Sequence, residues 1–203
     1  MKKLLLLLVF AGAMSFRATN LDPISQADRD KLVAELSESL DMLKQTTEGL
    51  SAEQYNFRAS EGRWSIADCA EHIALAEPAL FQWVQSTLQE PADPAKRAEV
   101  KVTDEALIKS LPDRSQKFQA PEELKPTGKF GSGEAGVQAF KEARMKTIEY
   151  VKTTQDDLRN HFMQHPAAGT MDSYQGMLLL AGHSKRHILQ MQEVKADPNF
   201  PKQ

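Results

Sequence analysis

Apolar side chains recur every three or four residues along four stretches of the chain, and this spacing predicts four amphipathic helices. The first stretch, from about Ser25 to Gly49, carries a stripe of leucines at Leu32, Leu36, Leu40 and Leu43. Gly49 is a natural stop, because glycine accepts the left-handed conformation that often follows a helix. The second begins at Ser65, where Asp68 stands in the capping-box position, and Pro78 should kink or loosen one of its turns.

Two further helices are predicted in the second half of the chain. One runs from about Glu134 to Phe162, and its apolar side consists of Val137, Phe140, Met145, Ile148, Val151 and Leu158. The other starts at Asp172, a helix cap with Gln175 three residues later, and runs to about Val194. These boundaries complete a set of four long helices.

The segment between about Gln89 and Gly133 interrupts the helical pattern. It holds half of the prolines and several glycines of the chain, and one short helix is predicted within it near residues 103–111. A connection of this length is unusual in a compact domain unless it is functional or carries the chain along the length of a bundle. The prediction is therefore an all-α four-helix bundle with a long crossover between its second and third helices.

Composition agrees with this fold and narrows the possible partners. The 203 residues are 41% hydrophobic and 26% charged, which is typical of one globular domain. The formal charge is -3, and the basic residues are scattered among acidic ones, so the chain lacks the electrostatic footprint of a nucleic-acid-binding protein. We expect no nucleic-acid partner, whereas a homodimer remains possible.

The N-terminus has the pattern of a signal peptide. Lys2 and Lys3 precede an apolar run at positions 4–13, and Ala13 and Ser15 form the small-residue pattern of a cleavage site. We expect residues 1–19 to be removed, leaving a single domain at 20–203 in the periplasm or outside the cell. The run is shorter than the roughly 20 residues that span a bilayer, so no stable membrane anchor is expected after cleavage. Cys69 is the single cysteine, which excludes an intrachain disulfide.

Three histidines are the candidate metal ligands. The stretch LAGHSKRHILQ, residues 180–190, places His183 and His187 one turn apart on the inward face of the last helix, and His72 falls on the inward face of the second. Burying three imidazoles without partners would cost about 1–3 kcal/mol each, and one divalent ion would satisfy all three. The alternative is that each is a core histidine paired with a carbonyl or carboxylate. Histidine ligation further predicts that binding weakens below about pH 6.5, because a protonated imidazole cannot ligate.

Groups near the histidines are candidates for a supporting role. Asp68, one turn before His72, either receives the second N–H of that ring or only caps the helix. Gln190 either bonds a ligand or a bound substrate, or is an ordinary polar residue at the rim. Arg186 either neutralises an anionic substrate or pairs with Glu193. No acidic residue on these two helices is clearly placed as a general acid or base, so the catalytic residues are unknown.

Four other residues are less favoured for a role at the site. Glu71 lies about 100° from His72 on the helix, which predicts a solvated side chain. Cys69 is either a small buried hydrophobe or a fourth ligand. His161 and His165 are also four residues apart, but a proline follows directly, which indicates a turn at His165.

Four segments together resemble one protein family. The segments that carry the resemblance are, in chain order, WSIADCAEHIALAE, KPTGKFGSGEAGVQAFKEAR, HPAAGTMDSYQ and LAGHSKRHILQMQEV. The chain resembles the DinB-like (DinB/YfiT) family of metalloenzymes over about residues 25–195. The resemblance implies a four-helix bundle with an up-down-down-up course. It also implies that His72, His183 and His187 are metal ligands, with one or more positions left to water. Members include thiol S-transferases that use bacillithiol or mycothiol, an isomerase, and metal-dependent hydrolases.

Such a site permits more than one function. Three neutral imidazoles with an open position are the catalytic pattern for zinc, and nickel is the other ion we expect. The ion can activate water, as in a hydrolase, or a thiol, as in an S-transferase. Export favours hydrolysis of an unknown small molecule, because small thiols are kept reduced in the cytosol. A bundle that binds metal or another ligand without turnover is the third possibility.

Overall fold

The computed structural model describes residues 24–202, so the predicted signal peptide at 1–19 lies outside the described residues. Its four long helices are α1 Gln26–Thr47, α3 Ile66–Thr87, α5 Gly133–Thr153 and α6 Ser173–Lys195. Two shorter helices are α2 Ala52–Asn56 and α4 Asp104–Ser110, and 3₁₀ turns occupy Pro94–Glu99 and Glu122–Leu124. Within this part of the chain, none of the helices is both long enough and apolar enough to cross a bilayer.

Side-chain caps start the long helices near the residues that the sequence predicted. The capping box of Ser65 and Asp68 is complete at the start of α3, and Ser25 and Asp172 cap α1 and α6. Gly49 follows α1 with a φ of 70°, the left-handed conformation that glycine accepts without strain. Helix α3 continues through Pro78 without ending.

The four long helices form a bundle in which α1 and α3 each pack against α5 and α6. The end of α5 lies at the start of α1, the start of α6 lies at the end of α3, and α1 and α6 end side by side. These directions are fixed by the hydrogen bonds of Arg29 with Thr154, Thr87 with Ser173, and Lys195 with Thr46. Helices α1 and α6 therefore run one way and α3 and α5 the other. The up-down-down-up course is confirmed.

The predicted end of the third helix, at Phe162, is wrong. Helix α5 ends at Thr153, and a β-hairpin follows, with β1 Phe162–His165 antiparallel to β2 Gly169–Asp172. Between them, the Thr154 hydroxyl bonds with Asp156, and the Asp157 carboxylate accepts two backbone N–H groups. Such local side-chain bonds compete with the helical backbone bonds and stop the helix.

A buried ion pair lies in the middle of the apolar core. The Arg144 side chain on α5 is fully buried and donates to both carboxylate oxygens of Glu77 on α3, each at 2.7 Å. Met145, which the apolar pattern assigned to the core, is 63% exposed. Helix α5 therefore presents the arginine, and not the methionine that follows it, to the core.

The crossover, defined here as residues 88–132, is pinned to α3 beside the N-terminal half of that helix. The Glu71 carboxylate accepts backbone N–H bonds from Thr127, Gly128 and Lys129 at 2.7–3.1 Å. Glu71 is only 6% exposed, so the prediction of a solvated side chain is wrong, because the crossover covers this face. Burial raises the pKa of the Glu71 carboxyl, but the backbone N–H groups outweigh burial and hold this pKa below its ordinary value.

Candidate metal centre

Two antiparallel helices bring the three predicted histidines together. His72 lies in the second turn of α3, His183 lies at the middle of α6, and His187 lies one turn after it. The centres of the rings are 5.1 Å apart for His72 and His183, 4.4 Å for His72 and His187, and 4.8 Å for the two on α6. One ring nitrogen from each histidine lies within 4.8 Å of the others.

Hydrogen bonds on the outer side of two rings define which nitrogens face inward. His72 Nδ1 lies 2.8 Å from the carbonyl oxygen of Leu124, and His187 Nδ1 lies 3.1 Å from Gln190 Oε1. An oxygen of this kind only accepts, so each Nδ1 carries the hydrogen, and in the neutral ring Nε2 has a free lone pair. His72 Nε2 lies 3.2 Å from His183 Nε2. The inward nitrogens are therefore the Nε2 atoms.

This arrangement fits a divalent metal ion. Two nitrogens bound to one tetrahedral zinc at about 2.0–2.1 Å would be about 3.3 Å apart. The separation of 3.2 Å between the Nε2 atoms of His72 and His183 agrees with that value. Outer N–H bonds to a carbonyl and an amide oxygen are the usual means by which proteins orient metal-binding histidines.

The electrostatics of the cluster keep the rings neutral. Burial, together with a smaller effect of the neighbouring imidazoles, lowers the pKa of His183 to about 3 and that of His187 to about 2. Burial also lowers the pKa of His72, partly offset by its bond to the Leu124 carbonyl. A neutral imidazole is the ligating form, so the unprotonated state that a metal requires is already favoured.

An indole ring forms one wall of the site. The Trp64 ring centre lies 4.9 Å from that of His72 and stacks at 5.8 Å on that of His187. Cys69, weighed as a fourth ligand, is instead fully buried in the hydrophobic core, where burial raises the pKa of its thiol. The wall of the site at this point is therefore aromatic.

Of the two roles considered for Asp68, the structure shows the helix cap and not a bond to the second N–H of His72. Its carboxylate accepts from the backbone N–H and the hydroxyl of Ser65 and forms an ion pair with Arg58. The carbonyl of Leu124 takes the expected place beside His72. The sequence does not indicate this contact, because every residue has a backbone carbonyl and no residue type marks the one that bonds His72.

Gln190 lies against a histidine, and an arginine that sequence reasoning missed lies behind it. Gln190 Oε1, which faces His187 Nδ1, also accepts from Arg114 Nη1 at 3.1 Å. Arg114 further donates to the two carboxylate oxygens of Glu193, at 2.6 and 2.9 Å. Arg114 is in the crossover, far from α6 in sequence, so helical spacing gives no indication of this contact.

Of the two roles considered for Arg186, the pairing with Glu193 is not found, because Arg114 holds that carboxylate. Arg186 instead donates to the carbonyl oxygen of Gln116 and lies over the ring of Phe118, at 5.3 Å from its centre. Both of these partners belong to the crossover. Arg186 therefore fastens the crossover to α6.

The second histidine pair lies at the other end of the bundle. His161 is buried, with Nδ1 3.1 Å from the carbonyl oxygen of Thr87. His165 Nδ1 accepts the backbone N–H groups of Ala167 and Ala168 in the hairpin, which confirms the predicted turn. Neither joins the cluster of His72, His183 and His187.

Comparison with known proteins agrees with this fold. Residues 35–191 match the DinB superfamily. The chain belongs to that superfamily. One DinB-superfamily relative, the uncharacterized protein YuaE of Bacillus subtilis, is 26% identical over 147 residues, which cover 72% of this chain and 86% of YuaE.

A solved structure shares the architecture of this DinB-superfamily chain. YfiT from Bacillus subtilis superimposes with a TM-score of 0.57 at 18% identity, covering 87% of this chain and 96% of YfiT. YfiT is described as a probable metal-dependent hydrolase with an unusual four-helix bundle topology. At 18% identity, the similarity to YfiT shows that the two chains share a fold.

Proposed function

We propose that this DinB-superfamily protein binds one divalent ion, zinc or nickel, through Nε2 of His72, His183 and His187, and acts as a metal-dependent hydrolase. The observation that carries the proposal is the convergence of three neutral imidazoles whose outer nitrogens, in His72 and His187, are already taken by acceptors. The description of YfiT as a probable metal-dependent hydrolase supports the reaction class.

The residues of the site have separable roles in this proposal. When bound, a divalent ion held by neutral ligands supplies Lewis acidity that lowers the pKa of a water or thiol. The Leu124 carbonyl and Gln190 hold the His72 and His187 rings in the ligating orientation. Trp64 covers the rings of His72 and His187 and excludes water from that side.

The described part of the chain places no carboxylate base in the cluster. Among residues 24–202, the members of the candidate metal cluster are histidines, without a carboxylate. The nearest acidic side chains in sequence, Asp68 and Glu71, are bound to Ser65 and to the crossover backbone. Activation of the nucleophile would therefore depend on the ion held by the cluster. Thiol S-transfer is the second candidate reaction, and metal binding without turnover is the third candidate function.

Export is proposed on the N-terminal pattern of residues 1–19. It favours water over a small thiol as the nucleophile, since reduced small thiols are kept in the cytosol. N-terminal sequencing of the protein recovered from a secreting host tests it: an intact Met1 would contradict export.

The decisive experiment is metal analysis of the purified chain and of His187→Ala. We expect one ion per wild-type chain and loss of stoichiometric binding in the variant, with helical circular dichroism retained because the apolar stripes are untouched. His165→Ala is the matched control, since it removes a histidine of the hairpin pair and should keep the ion. Unchanged metal content in His187→Ala would refute the ligand assignment.

Reaction class is tested by turnover of ester, amide and thiol-conjugation substrates with and without a chelator. Chelator-sensitive hydrolysis is the expected result. Chelator-sensitive turnover that requires an added thiol would replace the hydrolase with the S-transferase. Activity that survives the chelator would refute a metal-dependent reaction of either kind.

A further inference from the structure

The crossover touches the two ligand-bearing helices beside every candidate ligand. Leu111 fills the space over Gly182, the residue before His183, so closely that a Cβ at Gly182 would lie 2.4 Å from the Leu111 Cβ. The Leu124 carbonyl bonds His72, and Glu71 next to it holds the backbone of residues 127–129. The crossover is therefore a third structural element of the candidate metal centre.

The longest of these connections runs from the crossover to His187. Gln190 Oε1 lies between His187 Nδ1 and Arg114 Nη1, at 3.1 Å from each. The Arg114 guanidinium is itself held by two hydrogen bonds to Glu193, which lies about one turn beyond Gln190 on α6. The side chain of Arg114 is only 20% exposed, so this pair is partly shielded from water.

A glutamine beside an imidazole needs such a partner to orient it. The amide of glutamine presents either its oxygen or its NH₂ group to a neighbour, and only the oxygen accepts the Nδ1 hydrogen that leaves Nε2 free. The Arg114 guanidinium can only donate hydrogen bonds, so it favours the amide orientation that presents the Gln190 oxygen. The flipped orientation, which presents the NH₂ group, would place two donors face to face. It thereby selects the His187 tautomer whose Nε2 faces the cluster.

We propose that Arg114 is a positioning residue for the metal centre, acting on His187 through Gln190, and that ion binding and the packing of residues 111–129 on α3 and α6 are reciprocally linked. This inference rests on the proposed metal-binding function. If the packing of the crossover raises the affinity for the ion, the bound ion must stabilise that packing by the same free energy, because coupling between two equilibria is reciprocal.

The charge of Arg114 makes the proposal sharply testable. A guanidinium near a cation repels it, so removing that charge would by itself tighten metal binding. Loss of positioning would instead weaken metal binding. Removing a group that orients a metal-binding histidine typically weakens binding by about 10–100-fold. The direction of the change in Kd therefore separates the two effects.

The test measures the zinc Kd of the full chain by competition with a chromophoric chelator. We expect Arg114→Met to raise the Kd by about 10–100-fold, and Arg114→Lys, which keeps the charge but loses the forked contact, to raise it less. Lys125→Met is the matched control, because Lys125 is a crossover cation paired with Glu122 rather than with either ligand helix. Its Kd should equal that of the wild type.

A double-mutant cycle identifies the route. Gln190→Leu should weaken binding, and adding Arg114→Met to it should cause little further loss, because Arg114 acts through the amide that is already gone. Amide hydrogen exchange across residues 111–129 should slow on zinc addition in the wild type and change less in Arg114→Met.

The outcomes separate this inference from the proposed function. A wild-type chain without stoichiometric zinc would overturn both. A wild-type chain that binds zinc, with an Arg114→Met variant of equal or lower Kd, would overturn the positioning role alone. Fully additive losses in the cycle would overturn the route through Gln190.

Discussion

The buried pair of Arg144 and Glu77 gives the sharpest stability prediction of this bundle. The Arg144 guanidinium makes six hydrogen bonds, two of them to Glu77 and the others to Leu36 O, Ser39, Leu180 O and Ser184. The perturbations are Arg144→Met, Glu77→Leu and the double variant. Each single change leaves one charge in the core without its partner.

The magnitude follows from what each variant leaves unpaired. In Arg144→Met, the Glu77 carboxylate keeps only the hydroxyl of Thr147, at 2.9 Å, so we expect the free energy of unfolding to fall by about 3–5 kcal/mol. In the double variant no charge remains. Ser39 and Ser184 already donate to carbonyls of their own helices, at 3.0 Å, so these hydroxyls stay bonded. The double variant should therefore be more stable than either single one, with a coupling energy of at least about 2 kcal/mol.

Urea unfolding followed by circular dichroism, with the metal-free protein of all four chains, measures these free energies. A double variant whose loss equals the sum of the two single losses would refute the reasoning, since the two side chains would then not stabilise each other. As a control, the slope of the free energy of unfolding against urea concentration should be the same for all four chains, which would show that their unfolded states are comparable.

Two further predictions concern pH and packing. The structure revises the expectation from the sequence that zinc binding weakens below about pH 6.5. Zinc affinity should fall far less between about pH 8 and 5 than an ordinary imidazole pKa of about 6.5 predicts, because burial holds the pKa of His183 at about 3 and that of His187 at about 2. Calorimetry at each pH checks this, and a steep loss below about pH 6.5 would contradict it. With these folded-state pKa values depressed, the metal-free protein should lose stability as pH falls below about 6.5, where the unfolded chain binds protons that the folded one does not. Gly182→Ala should lower the free energy of unfolding by about 1–3 kcal/mol, because the new Cβ would lie 2.4 Å from the Leu111 Cβ. A thermal melt that shows equal or greater stability would mean that helix propensity outweighs the close approach.

Helical spacing and capping were sufficient to predict the bundle, because each depends on residues close together in sequence. The complete capping box of Ser65 and Asp68 and the inward faces of His72, His183 and His187 follow from positions a few residues apart. These are the interactions that a single sequence displays directly.

Apart from the end of α5, which local side-chain bonds of Thr154 and Asp157 determine, the errors fall where segments distant in sequence meet. Glu71 was expected in water because an isolated helix gives no information about the crossover that covers it. Arg144 lies in the middle of the apolar stripe of α5, but a charged residue is expected outside unless its partner is known, and Glu77 is on another helix. Met145 was assigned to the core on its apolar character alone. Arg114 and Leu124 were missed for the same reason of distance.

The distance along the chain between the candidate ligands has a consequence for biosynthesis. His72 and His183 are 111 residues apart, and α6, which carries His183 and His187, is synthesised after the other described helices. A polypeptide that ends before α6 holds one imidazole of the three. The three candidate ligands therefore come together only after α6 has been synthesised and has packed against α3, so an ion bound at this site would require that docking.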